Sequence, residues 1–157
     1  MKKIFSLLIL AALFLFASNV YAASSWKNDA EVSQNFAQEV LDLVNIERRK
    51  EHLHPLKLAS DLNHYAQIRA KEITRRFSHT RPNGTSCFTA IPKPYRMVGE
   101  NIAAGQKSSA EVVEAWMNSP AHRENIMNPK FRELGVGYLY QPNLKYKHYW
   151  AQFFRLK

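Results

Sequence analysis

Residues 116–137 read Trp116-Met-Asn-Ser119-Pro120-Ala-His122-Arg123-Glu-Asn-Ile-Met-Asn-Pro129-Lys-Phe-Arg-Glu-Leu-Gly135-Val136-Gly137. This spacing predicts the end of one helix, a short second helix and the entry to a strand. Ser119-Pro120 suits an N-cap followed by proline at the first helical position. That places His122 in the first turn of the short helix. Pro129 closes it, because proline cannot continue a helix interior. Gly135-Val136-Gly137 opens a strand-like run through Tyr138, Leu139 and Tyr140. An imidazole that starts a helix just after a chain reversal is well placed to face a cleft. Two earlier segments are suited to meet it there, Phe77-Ser78-His79-Thr80 and Val98-Gly99-Glu100-Asn101-Ile102.

Upstream, Phe36, Val40, Leu43 and Val44 recur at helical spacing, Leu41 widens the stripe, and Ser33 is a candidate cap. Arg48, Arg49 and Lys50 lie in the last turns, where cations favour the macrodipole. Asn45 and Arg48 border the apolar face, either as a solvated edge or as a hydrogen-bond clamp onto a neighbouring loop. A second helix is expected over about 60–75, capped by Ser60, with Leu62, Tyr65, Ala66, Arg69 and Ile73 in its stripe. Residues 77–86 read as a loop around the turn signal Pro82-Asn83-Gly84. Pro92 and Pro94 exclude 91–95 from a central strand, and 96–103 suits a short strand or extended segment. Ser108 and Glu111 form a capping box that starts a helix with Val112, Val113 and Trp116 buried, Trp116 as a core anchor. Strands are expected at about 134–140 and 146–155, joined by Gln141-Pro142-Asn143-Leu144. Helices first and an antiparallel end argue for an α+β fold, with helices covering a small sheet.

The N-terminus sets the expected address. Lys2-Lys3, an apolar run over 4–16 and Val20-Tyr21-Ala22 read as a signal peptide, 1–22, cut after Ala22. The run is short for a membrane span, so a soluble protein without a membrane span, periplasmic or secreted, is expected. A loose leader, 23–32, and one domain, 33–157, would follow. Cys87 is the one cysteine, so the chain forms no internal disulfide. The formal charge of +9 drops by two to +7 when Lys2 and Lys3 are removed. Such a charge favours anionic lipid, cell-wall polymer or nucleic acid. The scattered basic residues and the absence of a recognition motif put specific nucleic-acid binding last.

The residues over 36–154 resemble the CAP superfamily (cysteine-rich secretory proteins, antigen 5 and plant pathogenesis-related-1 proteins), in its compact bacterial branch. The resemblance rests on four segments in order: Phe77-Ser78-His79-Thr80 with Pro82-Asn83-Gly84; Gly99-Glu100-Asn101-Ile102-Ala103; Trp116-Met117-Asn118-Ser119-Pro120-Ala121-His122-Arg123; and Leu134-Gly135-Val136-Gly137-Tyr138. It implies a three-layer α-β-α sandwich with a small, largely antiparallel sheet. It also implies a cleft tetrad of two histidines and two acids. His79 matches the first histidine and Glu100 the first acid. His122 matches the second, because it precedes the Gly-Val-Gly strand, whereas His148 follows it. The position of the second acid is Ser119 here, a departure that leaves two histidines and one carboxylate.

The cleft set is therefore His79, Glu100, Ser119 and His122. Two imidazoles and a carboxylate suit a divalent cation such as zinc, on His79 and His122. Glu100 is either a third ligand or a second-layer partner that orients an imidazole. Without metal, His79, Glu100 and His122 are candidates for acid–base catalysis near neutral pH. Cys87 reads as a small buried hydrophobe. Three readings follow: a binding module for a lipid, a cation or an envelope component; a metal-assisted hydrolase; and a secreted interaction or virulence-type protein with a structural cleft. The first is preferred, as a monomer.

Overall fold

The computed structural model of the chain describes residues 32–157. The expected signal peptide, 1–22, and nearly all of the leader, 23–32, lie outside the described residues. The first apolar stripe forms helix α1, residues 32–50, with Ala37, Val40, Leu41 and Val44 buried. Its two border polar residues are clamps. Asn45 pairs with both backbone groups of Leu56, at 3.0 and 2.8 Å. Arg48, wholly buried, donates to the carbonyls of His54, Ile126 and Asn128. Those last two carbonyls close a later helix, an end where a cation is favoured.

Strand β1 (Lys57–Leu58) leads into helix α2 (Ser60–Glu72). Ser60 is the first helical residue and not the cap. Ala59 holds the cap position without a side-chain bond, and Asp61 accepts from the N–H of Leu62 instead. The helix also stops short of 75, closed by the N–H of Ile73 on Arg69. A single 3₁₀ turn (Cys87–Ala90) follows the loop. Strand β2 (Met97–Ala104), helix α3 (Ser109–Met117), helix α4 (Pro120–Met127), strand β3 (Glu133–Tyr140) and strand β4 (His148–Leu156) complete the order. β4 begins later than 146, because Gln141 closes the loop onto the carbonyl of Lys147 at 2.6 Å and Lys147 is left-handed (φ 61°).

Among the described residues the sheet runs β1-β3-β4-β2. β3–β4 and β4–β2 are antiparallel and the short β1–β3 pairing is parallel, so the sheet is mixed. Alternation sorts β4 into two faces. Trp150 and Phe154 join Trp116, Val112 and the α1 stripe in one core. Tyr149 and Ala151 meet Ala70 and Ile73, and Phe153 meets Leu62 and Ala66, on the α2 side. Trp116 is buried in the first core, as a core anchor should be.

β1 covers only the start of β3, which leaves donors on the outer edge of β3. Helix α2 supplies their partners. Asn63 accepts from the N–H of Val136 at 2.9 Å, and Gln67 exchanges two bonds with the backbone of Tyr138, at 2.8 and 2.9 Å. The edge is thereby satisfied by side-chain amides in place of another strand.

The capping box is present in altered form. Ser108 accepts from the N–H of Glu111, while the Glu111 carboxylate reaches the N–H of Lys107, at 2.8 Å. Ser108→Ala should lower the unfolding free energy by about 0.5–2 kcal/mol, read as a shift in the urea midpoint. An unchanged midpoint would show that the Ser108 hydroxyl contributes nothing to that end.

Candidate functional site

β2 is an edge strand of the sheet, and its neighbouring residues Glu100 and Asn101 point to opposite faces, as strand alternation requires. Glu100 holds the imidazole of His79, and Asn101 holds the backbone of His122. Glu100 faces α2, where its carboxylate accepts from Arg69 Nε at 2.7 Å and meets His79 Nδ1 at 2.6 Å. Asn101 faces α4, where its amide donates to the backbone carbonyl of His122 at 3.1 Å. Asn125 of α4 ties the two together, donating to the carbonyl of Glu100 and to the side chain of Asn101.

The His79 loop is fixed by the same network. Arg69 donates to the carbonyl of Ser78 and to Glu72, and Glu72 takes Arg81 through a forked contact. The N–H of Cys87 closes the loop onto the carbonyl of His79 at 2.8 Å. The result is a chain of charges, Arg81–Glu72–Arg69–Glu100–His79, anchored in α2. Arg69 has no exposed side-chain surface and Glu100 has 1%, whereas 57% of the His79 side chain is open to solvent.

Electrostatics follow from this placement. Burial pushes the Glu100 carboxyl up, but the bonds from His79 and Arg69, the Arg69 charge and the Cys87 thiol outweigh it. Glu100 therefore lies below the ordinary carboxylate range. The bond to Glu100 raises His79 above the usual imidazole value against the opposing effect of burial. His122, half-buried, is lowered first by burial and then by the charge of His79. Cys87 is pushed up to about 12, by burial first and then by the Glu100 charge and hydrogen bond.

His79, Cys87 and Glu100 form a group close enough to hold a metal ion, their ligand atoms lying within 4.8 Å of one another. The chemistry of this trio resists that use. The Glu100 oxygens are engaged by Arg69 and His79, a guanidinium stands where a cation would approach, and the thiol holds its proton far above neutral pH. The open nitrogen is Nε2 of His79. With Nδ1–H directed at Glu100, that nitrogen carries a free lone pair in the neutral ring.

Ser119 takes the N-cap position of α4, but its hydroxyl makes no capping bond there. His148 lies elsewhere. It pairs with Tyr140 across the hairpin and its Nδ1 meets the Tyr138 hydroxyl at 2.8 Å. It stands five positions along β4 from Phe153, the partner of Glu100, roughly 17 Å at strand rise. Arg69 was legible only as one member of the α2 stripe. An arginine at a core position of an amphipathic helix is itself the signal of a buried ion pair. Asn101 and Asn125 carried no comparable mark.

A family model, the cysteine-rich secretory protein family (CAP), matches residues 41–154. The uncharacterized protein YkwD of Bacillus subtilis (strain 168) is 40% identical over 109 residues, which are 66% of this chain and 42% of that protein. Among solved structures, an extracellular protein containing an SCP domain from Bacillus anthracis superposes with a TM-score of 0.70 at 29% identity, over 83% of this chain and 43% of the other. A cysteine-rich secretory protein from Staphylococcus aureus gives a TM-score of 0.63 at 26% identity, over 80% and 40%. The chain thus spans less than half the length of these relatives.

Proposed function

The chain belongs to the cysteine-rich secretory protein (CAP) family, and from its cleft we propose an extracellular binding module that takes a divalent cation between His79 and His122. One observation carries this reading: Glu100 holds the His79 imidazole, its neighbour Asn101 ties down the His122 backbone, and the charge of His79 is felt at the His122 imidazole. Glu100 acts behind His79, fixing the tautomer that leaves Nε2 free, and is not itself a ligand. Zinc suits a pair of neutral imidazoles, with water completing the shell. An extracellular place agrees with the Bacillus anthracis relative and with the expected signal peptide. No helix among the described residues is long and apolar enough to cross a membrane.

A hydrolase is less well supported. The thiol that shares Glu100 with His79 is protonated up to about pH 12 and buried, so it is no nucleophile. Ser119, in place of a second carboxylate, offers no general base. A lipid or envelope ligand has no support at this polar edge.

Calorimetric titration of zinc tests the proposal. His79→Ala and His122→Ala should each remove most of the affinity, and His148→Ala should leave it unchanged. Glu100→Gln should weaken binding by roughly 10–100-fold, the usual effect of losing an orienting partner. Affinity should fall as pH drops through the raised value of His79, where the proton takes Nε2. Equal affinity in the wild type and the His79→Ala/His122→Ala double variant would end the cation reading.

A further inference from the structure

On the α2 side of the sheet, lined by none of His79, Glu100 and His122, a pocket of about 400 Å³ opens beside the ends of β2 and β4. Its size falls within the range of small-ligand sites, roughly 300–1,000 Å³. Tyr65 of α2 and Tyr95 supply aromatic walls, and Pro92 and Pro94 stiffen the segment that carries Tyr95. Both tyrosines are half-buried and pack against the cluster around Leu62 and Phe153. Among the described residues, neither hydroxyl has a hydrogen-bond partner.

The charges of the pocket are unequal. Its one side-chain carboxylate, Asp61, is consumed by a forked contact with Arg155, at 2.8 and 3.0 Å. Arg155 and Lys157 are further balanced by Glu133. Lys93 and Arg96 are exposed and lack any side-chain partner among the described residues. The pocket therefore offers two flat apolar walls, two free hydroxyls and two uncompensated cations.

We infer that this pocket binds an acidic saccharide, a sugar ring that carries a carboxylate. The C–H face of the ring rests on Tyr65 and Tyr95, its hydroxyls meet the tyrosine hydroxyls, and the carboxylate sits between Lys93 and Arg96. A planar aromatic acid would use the walls and the cations but leave the two hydroxyls idle. A phosphate ion would use the cations alone. The site stands apart from the cation cleft and does not rest on that reading.

Two disaccharides that differ by one lactyl ether, the group that carries the carboxylate, supply the test: N-acetylglucosaminyl-N-acetylmuramic acid and N,N′-diacetylchitobiose. They are titrated calorimetrically into the full chain at low salt, with an acetylated tetraglutamate peptide as a third probe. The acidic sugar should bind roughly tenfold more tightly than the neutral one, a difference of about 1.4 kcal/mol. Lys93→Ala/Arg96→Ala should erase that difference and leave diacetylchitobiose binding as it was. Tyr95→Ala should weaken both sugars, and His79→Ala neither. Added salt should shrink the acidic advantage. Equal binding of the two sugars, failure of the acidic sugar to bind, a preference for the peptide, or an advantage that survives in Lys93→Ala/Arg96→Ala would each overturn the inference.

Discussion

Arg69→Met should lower the unfolding free energy by about 3–5 kcal/mol, the usual result of removing one partner of a buried ion pair. The arginine side chain is wholly buried, and three acceptors depend on it: Glu100, Glu72 and the carbonyl of Ser78. Glu72 keeps Arg81. Glu100 keeps only His79 and the Cys87 thiol, inside a site where burial disfavours its charge.

The pH dependence gives the sign. In the wild type the Glu100 carboxyl is lowered, so its contribution is present above the unfolded carboxylate value and lost as pH falls through the folded one. His79 is raised, so its contribution is present below the unfolded imidazole value and lost as pH rises through the folded one. The pair is therefore strongest between the two unfolded values and is lost on passing beyond the folded ones. In Arg69→Met the Glu100 carboxyl should move up, and the deficit relative to wild type should shrink in acid as Glu100 takes a proton. Urea unfolding at several pH values measures this. Arg69→Met/Glu100→Gln should recover most of the loss. A deficit that is independent of pH and unchanged in the double variant would assign the cost to lost packing of the arginine stem, not to the charge.

Gly137→Ala should cost about 3 kcal/mol or more, at or beyond the upper end of ordinary overpacking, roughly 1–3 kcal/mol. A β-carbon at Gly137 would fall on the backbone of Ala66, and one at Gly135 on the backbone of Leu62. Backbone cannot rotate aside as a side chain can. Helix α2 would have to lift from β3 and break the Gln67 pairing with Tyr138. Gly84→Ala is the control: its space is open but its φ is +86°, so about 1–2 kcal/mol of left-handed strain is the whole expected cost. Should Gly137→Ala prove no worse than Gly84→Ala, close contact between α2 and β3 would not be the reason for the glycine. Because α2 carries Arg69, the Gly137 variant should also loosen His79, visible as a fall of its raised titration value.

Most elements were legible, but the two-residue β1 and the 3₁₀ turn at Cys87–Ala90 were not. Periodicity marked α1 and α2, the Ser108 cap marked α3, and Ser119-Pro120 marked α4 with His122 in its first turn. These signals are local, each set by residues within a turn or two of one another. Boundaries that depend on neighbours were not. α2 ends at Glu72 and β4 waits until His148, because a loop closes through Lys147. The resemblance to the family implied a shared cleft for His79, Glu100 and His122, but not the manner in which each is held. Glu100 and Asn101 are neighbours in sequence, yet pleating sends them to opposite faces, one to Arg69 and His79, the other to the backbone of His122.

The sequence by itself determined the long helices, the β3–β4 hairpin and which faces are apolar. Tertiary structure alone decided which groups Arg69, a member of the α2 stripe, pairs with, and that Glu100 serves Arg69 and His79. The physical reason is that an ionisable group takes its role from burial and from the charges around it. Those are set by contacts between residues far apart in the chain, such as Arg69 with Glu100, 31 positions away.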